Sequence, residues 1–193
     1  HTVPLLDRLR FLGIFSNNLD EFFRVRYATV RRISLSKDNN KKLINGLDAK
    51  TLLQDITDIV IKLQEKSLEI LAKIEVELEN EGIFIINESE ATSQQITFIR
   101  EFFIHKVSPV LVTIILNDLD EFPLIRDSYG YLAVKLIKSL AETSPKSVKK
   151  RTRYALIEIP AQINRFVELP SQDGKQYIMM LDDVIRINLD YIF

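Results

Sequence analysis

One apolar stripe dominates the chain. From Ala49 to Asn80, Leu53, Ile56, Val60, Leu63, Ile70, Ile74 and Leu78 recur every three or four residues, with Ser67 completing the series. That period predicts a single amphipathic helix, about 45 Å long at 1.5 Å per residue. Gly82 stands where a C′ glycine ends a helix. Asp55, Asp58, Lys62, Glu65, Lys66, Glu69, Lys73 and Glu77 interleave with the stripe and form a solvated, ion-paired outer face. The stripe is expected to pack on the chain's own helices, a long coiled-coil partner being the alternative.

Shorter patterns flank this helix. Pro4 suits a first helical position, and Leu5, Leu9, Leu12 and Phe15 follow at helical spacing. A second pattern over 19–35 carries Phe22, Val25, Thr29 and Ile33 on one face, and the polar stretch 37–42 reads as a loop. Ile83–Ile86 is short and β-branched, and Thr92 precedes another helix with Ile96, Ile99, Phe102 and Phe103 that ends near Pro109. Beyond Pro109, β-like runs occupy 131–137, 154–159, 166–169 and 176–180, with a polar, basic loop at 141–152 and a last helix N-capped by Asp182. The expectation is an α+β chain: an N-terminal helical bundle over 1–108 and a mixed α/β region over 109–193.

Composition excludes several functions. The 193 residues are 46% hydrophobic, ample for a packed core, and 26 basic against 27 acidic side chains leave a net charge of −1. No general attraction to nucleic acid or anionic lipid follows from that balance. There are no cysteines, so disulfides and thiolate metal sites are excluded. No apolar run approaches the ~20 residues of a membrane span, and a cytoplasmic location is expected. The two histidines, His1 and His105, form no metal-site spacing, so no metal ligands are assigned. His105 reads as a surface or satisfied histidine. Five glycines build neither a P-loop nor a dinucleotide fingerprint, and no serine stands in a nucleophile elbow. No catalytic residue is assigned. His1 is an unusual first residue and the apolar end at Phe193 lacks a stop signal; both suggest a segment of a longer protein.

Two features invite ligands. In Ser16-Asn17-Asn18-Leu19-Asp20-Glu21-Phe22, Asn18 lies four residues after Ile14 and four before Phe22. One reading is a helix start, with Asn18 as cap and Glu21 three residues later. The other is an amide presented from an aromatic-lined helix corner to a base, because one donor and one acceptor match adenine N7 and N6–H2. Arg24, Arg26, Arg31 and Arg32 follow. They form either a solvated ion-pair face or a cluster for phosphate oxygens. The run Lys149, Lys150, Arg151 and Arg153 carries the same two readings, with solvation as the default.

The segment 4–26 resembles the N-terminal signature of the histidine-using bacterial polyphosphate kinases, whose pattern is close to P-L-x-E-R-x-x-F-L-x-I-x-S-N-N-L-D-E-F-x-x-V-R. Asp7 replaces the usual Glu. The stretches 153–160 and 165–170 and the tail to Phe193 also look like the family, so the resemblance covers essentially the whole chain. The family's conserved tryptophan-containing segment is missing; the sequence has no Trp. Its four regions are a helical N-domain, a middle or head domain and two phospholipase D-like C-terminal domains. This chain is similar to the first and the opening part of the second. The resemblance implies reversible, ATP-dependent extension of inorganic polyphosphate through a phosphohistidine. The catalytic histidines and Mg2+ ligands lie in the C-terminal domains, so the fragment alone is expected to be inactive. The second asparagine of the motif contacts ATP at the adenine end, which implies that role for Asn18. Homo-oligomeric assembly and peripheral membrane association are further expectations, with no nucleic-acid partner. The alternative is a helical protein-interaction module that binds no nucleotide.

Overall fold

The computed structural model of the chain describes residues 3–36, 43–44, 46–119, 121–127, 129–137 and 152–193. The loop expected at 37–42, nearly all of that at 141–152, and Lys149, Lys150 and Arg151 lie outside the described residues. The chain packs as two compact units, His1–Gly82 and Ile83–Phe193.

In the first unit, α1 (Leu5–Phe22), a π-helical turn (Phe23–Tyr27) and α2 (Ala28–Ser34) run on as continuous helical backbone. The sequence predicts two helices parted near Asn18. No such break exists, because neither Pro nor Gly occurs between Ser16 and Leu19 to stop a helix. The shift in apolar phase is taken up by the π turn instead, where Phe23 meets Phe22 edge-on at 5.8 Å and packs on Tyr27 at 4.7 Å. Pro4 is the N-cap rather than the first helical residue.

The chain then reverses through β1 (Leu43–Ile44) and β2 (Leu47–Asp48), an antiparallel pair whose turn holds Gly46 at φ 80°. Asp48 caps α3 (Ala49–Asn80), accepting from the N–H groups of Lys50 at 3.0 Å and Thr51 at 3.1 Å. The long helix has the bounds its stripe predicts, and Gly82, at φ 80°, follows it. It returns antiparallel to α1. Arg8 meets Glu77 near one end, donating from Nη1 to Oε1 at 2.8 Å and from Nη2 to Oε2. Phe22 shares a groove with Ile56 near the other. Two helices cover little of each other. Val60, Ile74 and Leu78 are buried, whereas Phe11, Ile14, Val25, Ile59 and Leu68 are exposed.

The second unit opens on β3 (Ile83–Ile86). Thr92 and Gln95 form a capping box at α4 (Ser93–Phe102), which continues as a π-helical segment (Phe103–Val107) and a 3-10 turn (Ser108–Val110). Then come β4 (Val112–Ile115), β5 (Tyr131–Ile137), β6 (Thr152–Glu158), β7 (Phe166–Gln172), β8 (Lys175–Met180), α5 (Leu181–Ile187) and α6 (Leu189–Ile192). One sheet has the order β3-β8-β7, parallel then antiparallel; the other, β4-β6-β5, is antiparallel. Leu181, not Asp182, begins α5; its N–H donates to the carbonyl of Arg165 at 2.8 Å, and Met180 is the N-cap.

The core joins Ile99, Phe103 and Val107 to Val167, Leu169, Met179, Val184 and Ile185. The helix 93–102 therefore belongs with the strands. The units divide at Gly82 rather than at 108/109, because the change from helical to β-like texture at Pro109 falls inside one core.

Candidate functional site

Asn18 sits in the interior of α1 and caps nothing, so the helix-start reading does not apply. No helix corner surrounds it, and it is exposed rather than shielded. It borders an open cleft of about 350 Å³ between α1 and α3. Phe15, Leu19 and Phe22 form one wall, and Ile56, Ile59 and Leu63 form the other. Asn18 is the one polar side chain lining this cleft, and its amide has no hydrogen-bond partner among the described residues. Chemically, this is an apolar slot with a single donor–acceptor pair at its edge. It suits the face of a flat ring together with one polar edge.

The arginines do not gather around Asn18. Arg24 and Arg26 lie on the π turn, and Arg31 and Arg32 on α2, all exposed. Arg31 and Arg32 border a separate cleft of about 550 Å³ with Phe23, Tyr27 and Leu35. His105 is exposed on the π-helical segment of the second unit. Among the described residues, no three His, Asp or Glu side chains converge as a metal site. Magnesium ligands are therefore not assigned to them.

A polar cluster with no sequence signal lies in the second unit. Glu88 in the turn after β3 accepts from Arg186 Nη1 of α5 at 2.8 Å, and the same nitrogen lies 3.0 Å from Asp183 Oδ1. Burial pushes the Asp183 carboxyl up to about 6; its hydrogen bond with Glu88 adds to this, and Arg186 opposes it. The hydrogen bond from Arg186 holds Glu88 below the usual carboxylate range. In the first unit, Glu77 is lowered by its hydrogen bond with Arg8.

Comparison with known proteins places both units. Residues 1–86 match the family described as "Polyphosphate kinase N-terminal domain", and residues 94–193 match "Polyphosphate kinase middle domain". This chain belongs to the polyphosphate kinase family. A polyphosphate kinase of Vibrio parahaemolyticus is 38% identical over 202 residues, covering 100% of this chain and 26% of that protein. One of Escherichia coli K12 is 34% identical over 195 residues, covering 98% of this chain and 26% of that protein. A crystal structure of polyphosphate kinase from Porphyromonas gingivalis superposes with a TM-score of 0.80 at 31% identity, over 100% of this chain and 27% of that one. The chain thus spans about a quarter of the length of the polyphosphate kinases it matches. Among the described residues, no helix is long and apolar enough to cross a membrane.

Proposed function

We propose that this chain is the N-terminal and opening middle portion of an ATP:polyphosphate phosphotransferase. The parent enzyme reversibly transfers the terminal phosphate of ATP to inorganic polyphosphate through a phosphohistidine. Within it, Asn18 contacts the adenine end of ATP. The observation that carries this reading is the unpartnered, exposed amide of Asn18 at the edge of an otherwise apolar slot. Phe15, Phe22 and Leu63 offer apolar surface to a base, and the amide can pair with adenine N7 and N6–H2. Bound ATP supplies the transferable phosphoryl group. This chain's part is recognition remote from the reacting phosphate. Homo-oligomeric assembly and peripheral membrane association belong to the same reading of the parent enzyme.

His105 is the one histidine among the described residues, and it is exposed in the second unit, whereas the Asn18 slot belongs to the first. The phosphohistidine is accordingly assigned outside this chain. Incubated with labelled ATP, the purified 193-residue chain should stay unphosphorylated and should neither make nor consume polyphosphate. Stable label on His105 would overturn this division of labour. In the parent kinase, Asn18→Asp removes the donor amide but keeps the shape. The expected result is a several-fold rise in KM for ATP with kcat nearly unchanged. An unchanged KM in both Asn18→Asp and Asn18→Ala would remove Asn18 from the ATP site and favour the alternative, an interaction module using the exposed apolar hairpin.

A further inference from the structure

Most arginines of this chain are matched to an acid. Among the described residues, Arg8, Arg10, Arg100, Arg126, Arg165 and Arg186 each reach a carboxylate. Arg26, Arg31 and Arg32 reach none among those residues. The sequence explains the difference, because no acidic residue occurs from Phe22 to Lys37. Ion pairs on a helix join residues three or four apart, and no carboxylate stands at that distance from any of the three. The solvated ion-pair reading of these arginines therefore lacks its acid. A chain with a net charge of −1 gathers unmatched positive charge in one short stretch.

Arg31 and Arg32 share a face with apolar side chains. Phe23, Tyr27, Arg31 and Leu35 succeed one another four residues apart, Ala28 and Arg32 run beside them, and all six border the cleft of about 550 Å³. Both arginines are exposed, and Phe23 and Tyr27 are half-buried. Each guanidinium offers a planar fork of N–H donors that fits two oxygens of an anion. Consecutive residues leave a helix about 100° apart, so the two forks approach the cleft from different sides. One fork fills a planar carboxylate. A chain of phosphates presents charged oxygens in several directions on successive units and can occupy both forks. The rings argue against a nucleic acid. Phe23 meets Phe22 edge-on at 5.8 Å and Tyr27 at 4.7 Å, so its faces are engaged. Single-stranded nucleic acids are held by ring faces free to stack on bases. The cleft is also distinct from the Asn18 slot, with which it shares no lining residue.

We infer that Arg31 and Arg32 form a binding site for inorganic polyphosphate, separate from the ATP contact at Asn18. This rests on the phosphotransferase reading given above, which supplies a linear phosphate chain as substrate. The chain is recognised by its oxygens alone, through two forks on a regular helix. A polymer offers many equivalent units to such a site, so a long chain binds more tightly than pyrophosphate does.

The probe is an end-labelled inorganic polyphosphate, titrated with the 193-residue chain and followed by anisotropy at several salt concentrations. Saturable binding is expected, weakened about tenfold in Arg31→Ala/Arg32→Ala. The slope of log affinity against log salt should fall by roughly one per arginine removed. Arg31→Lys/Arg32→Lys keeps both charges but loses the forks, and its affinity should fall between the two. Arg153→Ala removes an unmatched charge from the second unit and should bind as the unsubstituted chain does. Both cleft arginines are exposed and alanine is a better helix former, so the double variant should keep its helical circular dichroism. If it unfolds, the lysine pair decides. Undiminished binding in the arginine variants, or equal weakening by Arg153→Ala, overturns the inference. So does equally tight binding of a single-stranded RNA or a polyglutamate of the same charge, since bases or carboxylates are then the ligand. In the parent kinase, the double alanine variant should raise KM for polyphosphate several-fold in ATP synthesis from ADP, with KM for ADP unchanged. A parent that lacks this reaction refutes the phosphotransferase reading. An active parent whose KM for polyphosphate does not respond refutes this site alone, the arginines then being held by carboxylates elsewhere in that protein.

Discussion

Asp183→Asn should stabilise the second unit at neutral and alkaline pH and leave it unchanged in acid. The Asp183 side chain is 13% exposed, beside Glu88 and Arg186, and its pKa is pushed from 3.8 to about 6. A carboxyl whose folded pKa is raised keeps its proton in the folded state while the unfolded chain has already released it. The stability from that difference is complete below about pH 4 and is lost as pH rises through about 6. The shift of about two units corresponds to roughly 3 kcal/mol at 1.36 kcal/mol per unit. Glu88 works in the opposite sense: its lowered pKa contributes stability above the usual carboxylate range that is lost as pH falls. The two titrate as a pair, so roughly 3 kcal/mol is an upper bound on what the substitution releases. Asn at 183 keeps the volume, can donate to Glu88 and carries no charge. Thermal melts should therefore show the second unit's transition rising by about 8 °C at pH 8, with almost no difference at pH 4. A variant less stable at pH 8, or one equally stabilised at both pH values, refutes the reasoning.

Three further outcomes follow from the same geometry. Asn18→Ala should raise KM for ATP in the parent kinase by about 5- to 150-fold, for a loss of 1–3 kcal/mol. Circular-dichroism melts of the chain should show the first unit no less stable, since alanine is the better helix former. Phe103→Ala, at a fully buried position, should destabilise the second unit by roughly 3–5 kcal/mol in urea unfolding. Thr92→Ala breaks the capping box and the 3.0 Å bond from Gln172 Nε2, and should cost about 1–2 kcal/mol in the same assay.

Periodicity made α3 legible to the residue, because a stripe repeated over nine turns leaves little freedom at its ends. The strand at 131–137 was legible from alternation, and that expected at 176–180 begins one residue earlier, at Lys175. Other features had no local signature. The π turn at Phe23–Tyr27 looks from sequence like a helix break, since both shift the apolar phase. β4 is a four-residue strand whose identity depends on pairing with Glu158 to Ala155, far along the chain. The cluster of Glu88, Asp183 and Arg186 joins residues 98 positions apart, a separation no spacing rule addresses.

Asn18 was singled out by motif, and the structure alters the physical reason for attending to it. A capping asparagine has a structural use, whereas an asparagine in a helix interior costs about 0.6 kcal/mol relative to alanine. With no partner for its amide and an apolar slot beside it, Asn18 contributes nothing to α1 that alanine would not supply better. It is hydrogen-bonding capacity held on a regular element next to a cleft, and regular elements fix direction more tightly than loops do. In the slot of the first unit one amide can select the edge of a ring.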